Sequence, residues 1–272
     1  MAKYNLGLYK SPRDDRDYLL RSFLGYVALP PEYDRTLEMT PVKSQGSEGA
    51  CVGFAMVVGV KEYQEQIDYN KYIQLSPRYL YEAAKKISGH AEGTTLKAAV
   101  EVASKLGTCE ERYWPYKPND PSGKDTIAEV NALKYRIKSY ARITNIEELK
   151  RAIIEIGPAL IGVNVYKGMI SNQAKETGVV PDPSCWDRMN VLGGHALCAV
   201  GYMDNSHYFK DGHIKAKNSW GSFGNEGYLY LSYKYIRANM LDAFSSVDIP
   251  DNQPWIFTVA NLPERKKKEL WV

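Results

Sequence analysis

An α+β fold in two lobes is the architecture this sequence predicts, and three observations point to it. Residues 50–107 hold three stretches with helical apolar spacing and recognisable caps. Residues 159–232 hold four short runs rich in Val, Ile, Leu and Tyr, bounded by Gly, Asn and Asp. Long helices do not separate those runs, so antiparallel pairing is expected.

Taken in order, residues 1–40 read as an irregular arm. Ser11-Pro12-Arg13-Asp14-Asp15-Arg16-Asp17 and Leu29-Pro30-Pro31 suggest extended chain over the surface. Ser44-Gln45-Gly46-Ser47-Glu48-Gly49 is a loop, and Ala50-Cys51 opens a helix. Phe54, Val57, Val58, Val60 and Ile67, with Lys61, Glu62, Glu65 and Gln66, make that helix buried at its start and amphipathic later. Ser76-Pro77 is an N-cap and first-turn pair for a second helix over Arg78–Lys86. Thr94 or Thr95 caps a third, which ends at Gly107. Asn145-Ile146-Glu147-Glu148 is a capping-box variant, and its helix runs to Ile156 before Gly157-Pro158. The expected strands are Ala159–Val165, His195–Tyr202, His213–Asn218 and Gly227–Ser232. The resulting division is an arm at 1–40, expected as a short pro-segment partly packed on the right lobe, a helical lobe at 41–135, a β-rich lobe at 136–246 and an extension at 247–272. That extension holds Trp255, Phe257 and Trp271, and a basic run at Arg265–Lys268 that reads as a solvated tail.

Composition narrows the functional classes. The 272 residues carry 35 basic and 32 acidic side chains, a net charge of +3, which is too slight to argue for nucleic acid or an anionic membrane. No segment approaches the ~20 apolar residues of a membrane span. Residues Met1–Arg21 are charged and lack a signal-peptide core, so a cytoplasmic location is expected, with release by a non-classical route or in a virion left open. Cysteines at 51, 109, 185 and 198 have neither CxxC pairing nor zinc-ligand spacing. No metal or cofactor is expected. Cys109, Cys185 and Cys198 read as packing residues, although Cys109 and Cys185 are a possible pair in an oxidising setting.

Four residues form a chemical constellation. Cys51 at a helix N-terminus feels the positive end of the dipole, which favours thiolate; a buried structural cysteine satisfies the same pattern. His195 follows Gly193-Gly194 and starts a buried strand, which directs an imidazole toward a crevice between lobes or makes it a structural histidine. Asn218, beside Trp220, is suited to accept from one ring nitrogen of His195 and leave the other facing the thiol; a turn amide is the plainer reading. Gln45 stands six residues before Cys51, where its amide and the Cys51 N–H can both donate to a developing oxyanion.

Together these blocks resemble the papain family of cysteine peptidases. Gln45-Gly46 to Cys51 resembles its active-site loop, Gly193-Gly194-His195 with Val200-Gly201-Tyr202 its histidine strand, and Lys217-Asn218-Ser219-Trp220-Gly221 with Asn225-Glu226-Gly227-Tyr228 its asparagine loop. Leu75-Ser76-Pro77, the segment from Gly107 to Tyr116 and Gly157-Pro158 are smaller matches, and the resemblance runs from about Pro41 to Tyr233. His195 lies 144 residues after Cys51 and Asn218 lies 167 after it. The first falls in the family's ~130–150 window and the second just beyond it, consistent with a longer loop at 205–212.

The resemblance implies a helical left lobe and an antiparallel sheet or barrel on the right, with a cleft between them. It implies peptide hydrolysis through a thioester, with Cys51, His195, Asn218 and Gln45 as catalytic residues. Gly93, Gly162, Ala196 and Trp220 fall where the family binds peptide substrate; Gly93 and Gly162 read equally well as helix-start and strand-packing glycines. Small residues at 162 and 196 imply a roomy pocket and an apolar or aromatic preference next but one to the cut. The sequence departs from the family where Glu48-Gly49-Ala50-Cys51-Val52 replaces the usual Cys-Gly-Ser-Cys-Trp. That loses a disulfide and resembles the bacterial, archaeal and phage branch. Where the family carries a long inhibitory propeptide, about forty residues precede the Gln loop here, and residues 1–30 are expected either to lie on the far surface or to cover the cleft as a short plug. Three alternatives share the fold: an amidase or acyltransferase, a self-processing peptidase and an inactive binding homologue.

Overall fold

The computed structural model describes residues 5–24 and 28–248. Helix α1 opens as Cys51–Phe54, winds through a π-helical stretch at Ala55–Lys61 and closes as Glu62–Tyr69. Helix α2 is Pro77–Ser88; the Ser76 side chain accepts from the Tyr79 N–H at 3.1 Å and Pro77 fills the first turn. Helix α3 is Leu96–Lys105, and Thr95 rather than Thr94 supplies its cap. The short α4 is Ala128–Ala132. Helix α5 is Ile146–Glu155, with Asn145 capping it, while the Glu148 carboxylate reaches back to the Thr144 N–H at 2.8 Å. Helices α6 (Asn172–Thr177) and α7 (Tyr233–Asn239) complete the set.

The strands are β1 (Leu8–Tyr9), β2 (Glu32–Asp34), β3 (Thr94–Thr95), β4 (Ile137–Arg142), β5 (Ala159–Val165), β6 (Val179–Val180), β7 (Gly193–Met203), β8 (His213–Lys217), β9 (Tyr228–Ser232) and β10 (Met240–Asp248). They order as β4-β10-β5-β7-β8-β9-β6, antiparallel except for β6 on β9. Among the described residues the sheet is open, so it is not the closed barrel offered as one expectation.

Strand β7 lies at the centre and is buried on both faces, which explains its unbroken apolar run. Ala196, Cys198 and Val200 face the helical lobe and pack with Val52, Met56, Leu80, Leu96 and Val100. Leu197 and Ala199 face the other way, into a core with Ile153, Ile161, Val163, Ile214 and Leu229. The α1 helix meets β7 at Gly59, where a Cβ would stand 2.5 Å from the Cys198 Cβ. The two lobes therefore share β7, and His195 at its start sits where they part.

The arm runs partly over the surface, with the Arg13 and Asp15 side chains exposed, and is partly built into the sheet lobe. Leu20 is fully buried in the core of the sheet lobe, a contribution of roughly 1.5–3 kcal/mol for a leucine side chain. Strand β2 pairs with β7 through Tyr33 and Tyr202. The extension expected at 247–272 begins inside β10, and the rest of it lies outside the described residues.

Candidate active site

The loop before Cys51 is fixed by a buried ion pair. The Glu48 carboxylate accepts from Arg78 Nη1 at 2.6 Å, from the Tyr116 hydroxyl at 2.8 Å and from the Asn119 N–H at 3.1 Å. Burial pushes the Glu48 carboxyl up, but Arg78 and Tyr116 outweigh it and hold the group below its ordinary value. The sequence offers no signal for this cluster, because Glu48, Arg78 and the Tyr116–Asn119 stretch come from three distant segments.

Cys51 is fully buried at the first turn of α1. Burial raises its thiol above the ordinary value, opposed by the N–H groups of Ala196 and Gly7 that approach the sulfur. His195 is also fully buried. Its Nε2 lies 2.8 Å from Asn218 Oδ1, and its ring stacks on Trp220 at 4.3 Å between centroids. Nδ1 has no hydrogen-bond partner among the described residues. Burial lowers the His195 pKa to about 4, only partly offset by Asn218. Burial thus disfavours both the thiolate and the imidazolium in this closed arrangement. Asn218 is held in turn: its Oδ1 also accepts from the Ser219 N–H at 2.8 Å, and its own N–H donates to the Gly227 carbonyl at 2.9 Å.

Gln45 is fully buried and its side chain is oriented by Ser219, whose hydroxyl donates to Gln45 Oε1 at 2.6 Å. Gln45 Nε2 donates to the Glu48 carbonyl at 2.7 Å and to the Asn5 carbonyl at 3.1 Å. The second acceptor belongs to the arm. Residues 5–9 run between the lobes: β1 pairs parallel with β3 and meets β7 at Gly194. The Thr94 N–H donates to the Gly7 carbonyl at 2.8 Å, and the Tyr9 ring stacks on His90 at 4.0 Å.

Two of the expected substrate-binding residues, Gly93 and Gly162, meet the same segment. A Cβ on Gly93, whose φ is +76°, would stand 2.6 Å from the Gly7 carbonyl oxygen. Gly162 and Ala196 are cross-strand partners facing the helical lobe. A Cβ on Gly162 would stand 2.5 Å from Leu8 Cδ2 and 3.2 Å from Leu96 Cδ1. The pocket read as roomy is therefore filled by Leu8.

Lys217 has no assigned role in the sequence reading, yet it backs the site. Its buried ammonium donates to the Thr40 carbonyl at 2.7 Å, to Thr40 Oγ1 at 3.1 Å and to the Val58 carbonyl of the π-helical stretch at 2.9 Å. Burial lowers its pKa to about 8. All four cysteines are free. Cys109 and Cys198 are buried, and burial pushes each thiol up to about 12. Cys185 is exposed, which corrects its reading as a packing residue. Among the described residues no group of three or more His, Cys, Asp or Glu is placed to hold a metal ion, and no helix is long and apolar enough to cross a membrane.

Comparison with known proteins accords with this geometry. The family model of papain family cysteine proteases matches residues 29–246. An uncharacterized peptidase C1-like protein of Acanthamoeba polyphaga mimivirus is 26% identical over 264 residues, covering 85% of this chain and 82% of that protein. Mouse cathepsin K is 34% identical over 202 residues, which cover 74% of this chain and 58% of cathepsin K. The crystal structure of xylellain, a cysteine protease from Xylella fastidiosa, aligns with a TM-score of 0.77 and 27% identity, covering 91% of this chain and 97% of that one. The chain belongs to the papain family and is a cysteine-type peptidase.

Proposed function

We propose that the protein is an endopeptidase working through a thioester, with Cys51 as nucleophile and His195 as its base. The observation that carries this is the His195–Asn218 hydrogen bond of 2.8 Å, which commits Nε2 and leaves Nδ1 to exchange a proton with the thiol. Once the cleft is open to water and substrate, the burial that disfavours both charged forms is relieved, and proton transfer gives a thiolate beside an imidazolium. The thiolate adds to a peptide carbonyl; Gln45 Nε2 and the Cys51 N–H receive the oxyanion, and Ser219 keeps the Gln45 amide facing it. His195 protonates the leaving amine, and water activated by the same imidazole then breaks the thioester.

The arm supports both an inhibitory role and a substrate class. Its Asn5 carbonyl takes the Gln45 proton that the oxyanion would use, and the Gly7 N–H lies against the sulfur. Occupation of the Gly162–Ala196 pocket by Leu8 favours peptides with leucine, or a similar apolar residue, second before the cut. The test is turnover of a fluorogenic peptide of that kind by a chain whose arm cannot seat. Multiple turnover is expected, abolished by Cys51→Ala and reduced roughly 10²–10³-fold in kcat by Gln45→Ala. A single turnover per chain would instead mean a self-processing enzyme.

A further inference from the structure

Strand β10 ends at Asp248, which stands opposite Ile137 of β4 in the sheet register. The same end of β10 meets α1, where Gln64 Nε2 donates to the Ser246 carbonyl at 3.0 Å. The last strand of the sheet therefore finishes against the helical lobe.

The surface around that end is apolar. Ile137 follows α4 and the tight turn at Leu133–Tyr135. Helix α4 buries Ala128, Asn131 and Ala132, and it turns Ile127, Val130 and Leu133, spaced three apart, away from the body. Leu106 joins this stripe from the end of α3, since a Cβ on the adjacent Gly107 would stand 2.1 Å from the Ala132 carbonyl oxygen. Ile67 lies three residues beyond Gln64, on the face of α1 that meets β10. All five apolar side chains are between 42% and 69% exposed. A single exposed leucine needs no explanation, whereas five from three elements beside one strand end mark a surface that takes a partner.

The sequence supplies an occupant of matching chemistry. Twenty-four residues follow Asp248, outside the described residues, and they hold two of the five tryptophans, Trp255 and Trp271. Ile256, Phe257 and Val259 stand beside the first of them. Segments kept in water are poor in aromatic and β-branched residues. Trp255 comes seven residues after Asp248, a reach of up to ~25 Å in extended chain. Leu133 and Val130, four and seven residues before Ile137, are within that reach. Tethering gives such a segment an effective concentration on the order of millimolar at this face, well above that of a second copy in dilute solution.

We propose that the apolar face made by Ile67, Leu106, Ile127, Val130 and Leu133 is the docking surface for residues 249–272 of the same chain, with Trp255 and Phe257 as anchors. The tail then carries the chain from the end of the sheet across the helical lobe and covers α4 on its outer side.

The test is photo-crosslinking in the full chain, with benzoylphenylalanine in place of Val130 and, in a second variant, of Leu106, followed by mass mapping and light scattering. Both probes are expected to attach to residues 249–272 of their own chain in a monomer. Trp255→Ser/Phe257→Ser should abolish that attachment and, with the circular dichroism spectrum retained, raise binding of the dye ANS roughly threefold by uncovering the face. Attachment to a second copy would make the face a self-association surface and overturn the proposal. Failure of both probes to reach residues 249–272, or unchanged attachment and dye binding in the double variant, would overturn it as well.

Discussion

Gly7 of the arm and Gly49 of the nucleophile loop lie so close that a Cβ on Gly7 would stand 1.7 Å from the Gly49 carbonyl oxygen. Backbone on both sides leaves nothing to give way. Gly7→Ala should therefore unseat residues 5–9 without touching the cleft itself. Cys51 alkylation at neutral pH is expected to rise at least tenfold, with little change in the urea midpoint because Leu20 and Asp17 still brace the arm. An unchanged alkylation rate in the folded variant would show that the segment does not guard the thiol.

On the proposed reading, the space between Leu8 and Gly162 is the specificity pocket. Gly162→Val should fill it, since even the first carbon of a side chain meets Leu96. Discrimination worth about 1–3 kcal/mol is usual for such a change, so kcat/KM for a leucine peptide should fall roughly 10–200-fold. An alanine peptide should lose much less. Equal losses on the two peptides would place the leucine subsite elsewhere.

Lys217 satisfies two carbonyls and a hydroxyl from buried positions. Lys217→Met would keep the length of the side chain and leave the Thr40 and Val58 carbonyls without this donor. A loss of about 1–3 kcal/mol in urea unfolding is expected. A loss below ~0.5 kcal/mol would mean that other groups take over both carbonyls.

Acid should weaken the fold through its buried histidines. Burial lowers both His195 and His213 to about 4, against about 6.5 in the unfolded chain. The unfolded chain therefore binds protons first as the pH falls. Their contribution is fully present above about 6.5 and is lost progressively down to about 4, on the order of 2 kcal/mol for each. His213 lies outside the active site and its Nδ1 meets Ser206 Oγ at 2.8 Å, so His213→Gln isolates one share. Unfolding free energies measured from pH 7 to pH 4 should show a shallower fall in that variant. Parallel curves would contradict the assignment.

What was legible in the sequence depended on how local the physics was. Ala159–Val165 is a strand with the bounds expected of it, because β-branched residues between Gly157-Pro158 and a polar turn leave few alternatives. Ser76, Thr95 and Asn145 act as caps because a cap and its N–H lie three residues apart. Strand β4 escaped because Ile137-Lys138-Ser139-Tyr140-Ala141-Arg142 mixes charges into a short run. Strand β10 escaped because it buries Asp242, Ser245 and Ser246, and the Asp242 partners, Ser11 and Arg142, lie 231 and 100 residues away in the chain. The arm misled for the same reason: the charges of 13–17 look solvated, yet Asp17 is buried against Lys97 and Arg142. In the site, Cys51, His195, Asn218 and Gln45 stand out through motif and order. Ser219, Glu48 and Lys217 do not, because their roles exist only once distant segments meet.

The pH dependence of Cys51 alkylation in Gly7→Ala, with peptide mapping, tests the central claim most directly. A thiolate held by the His195 imidazolium predicts fast reaction that persists down to about pH 5 and is lost in Gly7→Ala/His195→Ala. Reaction that rises only near the free-thiol pKa of ~8.5, and ignores His195, would contradict it.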